Sequence, residues 1–266
     1  MSQHEKKVAL VTGGAQGIGA DIVKVLSLRG IDVAIVDLQK EKAESLAQKL
    51  STSDSCVKSI VADISTSEGC QQAIDQVIHD FGQLDILVNN AAPGRNKAHI
   101  GQLSAVDWDS HQRLVLQAVV WLSEFAEPWL KKSGSAAIVN ISSVTALKIA
   151  PEQCSWPYHV SKAGLEQLTR YLACRLGADN IRINAVAPGL VDRDGEAKIS
   201  DAPVNRRIIE KTVPLMRAGK AMEIGKIVAF LCSDDSSYMT GQIITADGGL
   251  GIKENFGAGL SVAQDL

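Results

Sequence analysis

An apolar run at residues 8–11 passes through Thr12, Gly13, Gly14, Ala15, Gln16, Gly17, Ile18, Gly19 and Ala20 into Ile22, Val23, Val25, Leu26 and Leu28 at helical spacing. No other stretch restricts the fold as much. A strand that leaves a glycine turn as a helix opens a strand-helix-strand unit, and the free N–H groups at such a helix start attract phosphates. Gly13 permits the tight turn, Gly17 lets the backbone come close to a pyrophosphate, and Gly19 lets the helix lie against the strand. A second strand, 31–36, stops at Asp37, 24 residues beyond Gly13. A carboxylate there accepts both hydroxyls of an adenosine ribose and repels a 2′-phosphate. The pattern therefore favours NAD over NADP, although Lys40 and Lys42 keep NADP open.

The alternation continues. A charged helix over 39–50 leads to a strand at 57–61 that closes at Asp63 and Ile64, a position suited to the adenine ring, with Asp63 alternatively the cap of the next helix. Ile74, Val77, Ile78 and Phe81 keep helical spacing before a strand at 84–88 ending in Asn89, Asn90, Ala91 and Ala92. A long amphipathic helix over 107–131, a strand at 136–141 ending in Ser142 and Ser143, a strand at 181–186 ending in Ala187, Pro188 and Gly189, a helix at 224–231 and a strand at 242–246 follow. Strands alternating with helices imply one doubly wound parallel α/β sheet of about seven strands with helices on both faces, a single domain over 1–266. Ligands of such sheets lie at the carboxyl ends of strands, where Gly13, Asp37, Asp63 and Asn90 all fall. Residues 190–213 mix acids and bases without a sustained apolar period and read as a mobile substrate lid, and 251–266 as a tail or subunit contact.

With 266 residues, 45% of them hydrophobic, the chain can bury a large core. Its net charge of −3 and lack of a basic cluster point away from nucleic acid, and no apolar run is long enough to span a membrane. The polar start, residues 1–7, has no signal-peptide pattern, and the five scattered cysteines read as reduced thiols without metal or disulfide. A cytoplasmic location is expected.

Tyr158 and Lys162 stand four residues apart on one helix face, with Ser161 next to the lysine. A cation beside a phenol favours the phenolate and makes it a usable proton donor and acceptor near neutral pH. A solvated helix face would show the same spacing. His159, one residue on, points to another face and reads as packing or solvent-exposed, and the other histidines read as ordinary structural residues.

Taken together, Thr12 to Gly19, Asn89-Asn90-Ala91, Ile141-Ser142-Ser143, Tyr158 to Lys162, Pro188-Gly189, Thr240-Gly241 and Asp247-Gly248-Gly249 resemble the short-chain dehydrogenase/reductase family over about residues 6–250. The resemblance implies a Rossmann-type fold, a nicotinamide cofactor, a small alcohol or ketone substrate and a homotetramer or homodimer. It implies Tyr158 as general acid/base, Lys162 lowering the Tyr158 pKa and binding the nicotinamide ribose, and Ser143 rather than Ser142 bonding the substrate oxygen. Cofactor contacts are implied at Gly13, Gln16, Gly17, Ile18, Gly19, Asp37, Asp63, Ile64, Asn90, Tyr158, Lys162, Pro188, Gly189 and Val191.

Four positions depart from the family pattern. Val115 stands where members carry an asparagine that helps hold a water path to the lysine; Gln117 is a candidate replacement. Ala92 replaces a glycine, and Ser143 lies 15 residues before Tyr158, about two more than is common, which implies an enlarged loop on the substrate side. Arg193 stands where many members place a threonine that contacts the carboxamide. Arg95, Lys97, Arg193, Arg206 and Arg207 are candidates for a charged pocket rim, and Cys154, Trp156 and Met216 for an apolar wall. Two functions follow: an NAD-dependent oxidoreductase interconverting a secondary alcohol and a ketone, or a nucleotide-binding scaffold without efficient chemistry, the reading that Val115 favours.

Overall fold

The computed structural model describes residues 6–93, 105–151, 153–193 and 198–252. Seven strands form one parallel sheet: β1 (Val8–Thr12), β2 (Asp32–Asp37), β3 (Val57–Val61), β4 (Ile86–Asn89), β5 (Ala136–Ile141), β6 (Ile181–Pro188) and, at the far edge, the strand Ile243–Ala246. Every residue of β1, β5 and β6 is buried, as expected of parallel strands covered on both faces. Along β1 the side chains alternate. Val8 and Leu10 enter one core, with Ile74, Val77, Leu122 and Leu165 from the helices of that side. Ala9 and Val11 enter the other, with Ile22, Val23, Leu26, Ile224 and Val228.

The helices of the second face are α1 (Gly17–Leu28), α2 (Lys40–Leu50) and one at Ala221–Leu231; those of the first are α3 (Ser67–Phe81), the bipartite helix below, and Trp156–Leu176. The sheet order is β3, β2, β1, β4, β5, β6 and the edge strand. From β1 the chain winds outward through β2 and β3, then returns to continue on the other side at β4. The carboxyl ends of β1 and β4 thus flank a crevice, the usual ligand position in such sheets.

Three elements differ from the sequence reading. The long helix is broken: α4 (Ala105–Gln112) passes through a π-helical turn, Arg113–Gln117, into α5 (Ala118–Ser133). The Ala118 N–H bonds the Arg113 carbonyl, one residue further back than in an α-helix. Residues 190–213, read as a mobile lid, contain the helix α7 (Pro203–Thr212), whose Ile209 packs with Val213 and Ala218 in a small third core. Pro203 starts that helix, and a stripe of so few apolar residues gave no sustained period. On either side of that helix, Val191–Asp192 pairs in parallel with Gly219–Lys220, a two-residue ladder too short to leave a sequence signal. Residues 194–197, most of the 251–266 tail, and the rim candidates Arg95 and Lys97 lie outside the described residues.

Candidate active site

At the carboxyl edge of the sheet a cleft of about 800 Å³ runs from the glycine turn past Asp37 to Ser143, Tyr158 and Lys162. Gly13 and Gly17 adopt φ of +61° and +58°, a backbone form that side chains resist. Gly19 serves closeness instead. A Cβ there would stand 2.1 Å from the Gly13 carbonyl oxygen and 2.6 Å from the Asn90 amide nitrogen, so any side chain would push α1 off the turn. Asn90 locks the same turn, donating from Nδ2 to the carbonyls of Thr12 and Gly13, 2.9 Å each. The Thr12 hydroxyl in turn accepts the N–H groups of Asn90 and Ala91. Thr12 is a residue the sequence reading left without a role.

Asp37 ends β2 with both carboxylate oxygens engaged, Oδ2 by the Ala15 N–H and Oδ1 by the Gln39 N–H, each at 3.0 Å. It faces the cleft beside Gln16, Gly17 and Ile18. Asp63 and Ile64 line the next stretch, as expected. Asp63 is not the helix cap: Thr66 caps α3 by accepting the Gly69 N–H, while the Asp63 carboxylate accepts the Ser65 N–H. Pro188, Val191 and Arg193 close the far side, and Ala92 lines the near one. Gly189 is not among the lining residues. A Cβ on it would stand 2.6 Å from the Asp247 Cβ, so this glycine admits a close approach behind the wall.

Tyr158 and Lys162 lie on the helix Trp156–Leu176, hereafter α6, with Pro157 in its first turn. Both are buried, and the Lys162 ammonium sits 5.7 Å from the centre of the Tyr158 ring while donating to the Ile141 carbonyl at 2.6 Å. Ser143 follows β5 and accepts hydrogen bonds from the Thr145 hydroxyl, 2.9 Å, and the Thr145 N–H. With its acceptor side occupied, its own hydrogen remains for a substrate oxygen. Ser142 instead donates to the Glu166 carboxylate at 3.0 Å, away from the cleft chemistry. Thr145 and Glu166 left no signal in the sequence, because their roles depend on where the turn after β5 lands.

Other candidates separate. His159 is buried: its Nε2 accepts the Ala150 N–H and its Nδ1 faces the Ser155 carbonyl, so it pins the enlarged loop to α6 and is not solvent-exposed. Trp156 stacks on Trp108 at 4.9 Å, Cys154 is buried and Met216 is exposed; none of the three lines the cleft. Arg206 and Arg207 do not line it either; both sit on exposed α7, where Arg206 donates to the Ser200 carbonyl. Val115 is buried in the first core while its neighbour Leu114 reaches the cleft, and Gln117 is exposed and so does not replace the missing asparagine.

The sequence profile described as enoyl-(acyl carrier protein) reductase matches residues 13–251, which contain every part of this cleft. The chain belongs to the short-chain dehydrogenase/reductase family. This dehydrogenase/reductase is 34% identical over 246 residues to a 3-oxoacyl-[acyl-carrier-protein] reductase of Thermotoga maritima, covering 92% of this chain and 98% of that one. A short-chain dehydrogenase/reductase variant from Serratia marcescens superposes with a TM-score of 0.84 at 32% identity, over 92% and 98% of the two chains. The L-sorbose reductase of Gluconobacter frateurii, solved with NADPH and L-sorbose, superposes at 0.86 with 27% identity, over 94% and 98%. Among the described residues of this dehydrogenase/reductase, no helix is long and apolar enough to cross a membrane.

Proposed function

We propose that the protein interconverts a secondary alcohol and a ketone with NAD(H), Tyr158 acting as general acid/base. The observation that carries this is the single cleft that joins a nucleotide cradle to a buried tyrosine-lysine pair. The cradle fits a dinucleotide: Gly13 and Gly17 bring backbone close to a pyrophosphate, and the Asp37 oxygens keep lone pairs for two ribose hydroxyls after accepting one N–H each. The bound nicotinamide would supply or accept hydride. Toward the substrate, Ser143 donates to the oxygen, Tyr158 gives or takes its proton, and the Lys162 ammonium favours the phenolate that forms when Tyr158 gives it up. Gln16, Ile18, Asp63, Ile64, Asn90, Pro188 and Val191 shape the remaining cofactor wall, with Gly19 and Gly189 supporting it from behind.

The Asp37 carboxylate favours NAD, since a 2′-phosphate would meet a like charge. Lys42, bonded to Gln16 at 2.7 Å on the exposed rim, is the cation an NADP reading would use. Titration with NADH and NADPH decides between them. Tighter NADH binding, with a preference that relaxes in Asp37→Ala, is expected; an unaltered ratio moves the ribose contact elsewhere. A panel of ketones and alcohols followed at the nicotinamide absorbance then tests turnover. The acyl-thioester and sugar named for the relatives are first members of that panel.

A second reading, a nucleotide-binding scaffold, rests on Val115, which puts an apolar side chain where the family has a polar one. Tight NADH binding without turnover of any panel member would favour it. A cytoplasmic homodimer or homotetramer belongs to the enzyme reading, and light scattering of the purified protein measures the assembly.

A further inference from the structure

The face of α4 and its π-helical turn that meets α6 carries one histidine, one turn before Val115. His111 is 1% exposed, and its ring packs edge-on against Tyr158 with centres 6.2 Å apart and planes at 88°. Its Nδ1 lies 2.8 Å from the Asp107 carbonyl oxygen, which only accepts, so Nδ1 carries the hydrogen and Nε2 of the neutral ring is an acceptor. That Nε2 is buried and has no hydrogen-bond partner among the described residues. A side chain present only to fill space would be apolar, since burying an unmatched nitrogen carries a desolvation penalty without return. Elsewhere the same helix does use apolar filling, at Val115 itself.

We propose that His111 is the proton-relay partner of Tyr158, its Nε2 taking the hydroxyl hydrogen through one bridging water. A water-mediated hydrogen bond can carry such a transfer. It supplies, from one turn upstream, the polar group that Val115 removes. The inference draws its purpose from the oxidoreductase reading, and its test does not depend on turnover. During reduction the ketone carbon takes hydride from the reduced nicotinamide, and the Tyr158 O–H bond breaks as its proton completes the alcohol. The neutral His111 then takes a proton at Nε2 from solvent water, leaving hydroxide to the bulk, and passes it to the phenolate. Oxidation reverses each transfer.

The charged group facing the pair is Lys162 on α6; Asp107 meets His111 through its backbone carbonyl, and His159 is turned to Ala150 and Ser155 on another side. The chain has three tyrosines, and Tyr171 and Tyr238 are exposed, so Tyr158 ionisation is readable by ultraviolet titration against Tyr158→Phe. A neutral His111 is only an acceptor at Nε2 and favours the protonated phenol. His111→Leu should therefore lower the Tyr158 midpoint by roughly half a pH unit or more. Simple loss of a polar neighbour would raise it. Conversely, Tyr158→Phe should raise the His111 titration seen by NMR by a similar amount and leave His159 in place. Midpoints that stay put or move the opposite way overturn the relay, and the second arm decides if the leucine variant does not fold. Both shifts as expected in a protein that turns over no ketone would keep the relay and sink the oxidoreductase reading.

Discussion

Tyr158 reads from the sequence as a phenol near an ammonium, but the distance between the two, 5.7 Å from ammonium to ring centre, comes from burial of both side chains between α6 and the end of β5. Tyr158→Phe keeps the ring and removes the proton. Turnover should fall at least roughly a hundredfold with NADH affinity nearly intact, as expected of a general acid/base contribution, and unchanged turnover in a steady-state assay would remove Tyr158 from that role. Gly19 makes a different demand, since a methyl there overlaps the Gly13 carbonyl and the Asn90 amide. Gly19→Ala should weaken NADH binding at least tenfold while the far-ultraviolet circular dichroism changes little; fluorescence titration of the bound nicotinamide reads it. The glycines and the tyrosine-lysine spacing were legible because each is a local demand. Thr12, His111 and Glu166 were not, because what they meet comes from other elements, and Thr145 was not, because its bonds to Ser143 depend on how the turn after β5 lands.

At the scale of elements, the buried polar links between strands and helices show what local patterns omit. Arg182, inside β6, is buried with no carboxylate partner among the described residues: its guanidinium donates to the carbonyls of Leu231, Ser233 and Ser236 and to the Ser236 hydroxyl. These groups lie at and just beyond the carboxyl end of the helix Ala221–Leu231, where unpaired carbonyls and the helix dipole favour a cation. Burial alone pushes the guanidinium below its ordinary pKa, and its hydrogen bonds keep it useful. Arg182→Met should cost about 3 kcal/mol, because several carbonyls lose their donor at once, and urea unfolding measures it. Asn89 and Asn140 form a comparable link, opposed across β4 and β5, with Asn140 passing a bond to Thr169 on α6. The π-helical turn at Arg113–Gln117 belongs here too. Apolar spacing predicts a continuous helix, and only packing against α6 shows where the extra residue per turn sits.

For the whole molecule, charge and burial fix a pH window. The Arg217 guanidinium, with help from the Lys220 N–H, holds Glu223 at about 2, below its ordinary 4.5. A carboxylate lowered in the fold stabilises it above the ordinary value, and that contribution is lost as pH falls from about 4.5 toward 2. Burial pushes the Cys232 thiol up to about 12, and burial with the nearby Asp63 does the same for Cys70, from an ordinary 9.0. A thiol raised in the fold stabilises it below 9, and that contribution is lost between 9 and 12. Thermal unfolding should therefore show a plateau between roughly pH 4.5 and 9 with falling Tm on both sides. Glu223→Gln should flatten the acid limb, and an unchanged acid limb would place its cause elsewhere. The sequence by itself determined the parallel α/β class, the strand ends that carry the site, and the identity of Gly13, Asp37, Ser143, Tyr158 and Lys162, because periodicity and short motifs are written along the chain. The tertiary structure alone decided that α7 is a helix, that His159 pins a loop, and that His111 meets Tyr158. Those facts depend on contacts across turns and between helices, from His159 to Ala150, from Ile209 to Ala218 and from His111 to Tyr158, which no local pattern encodes.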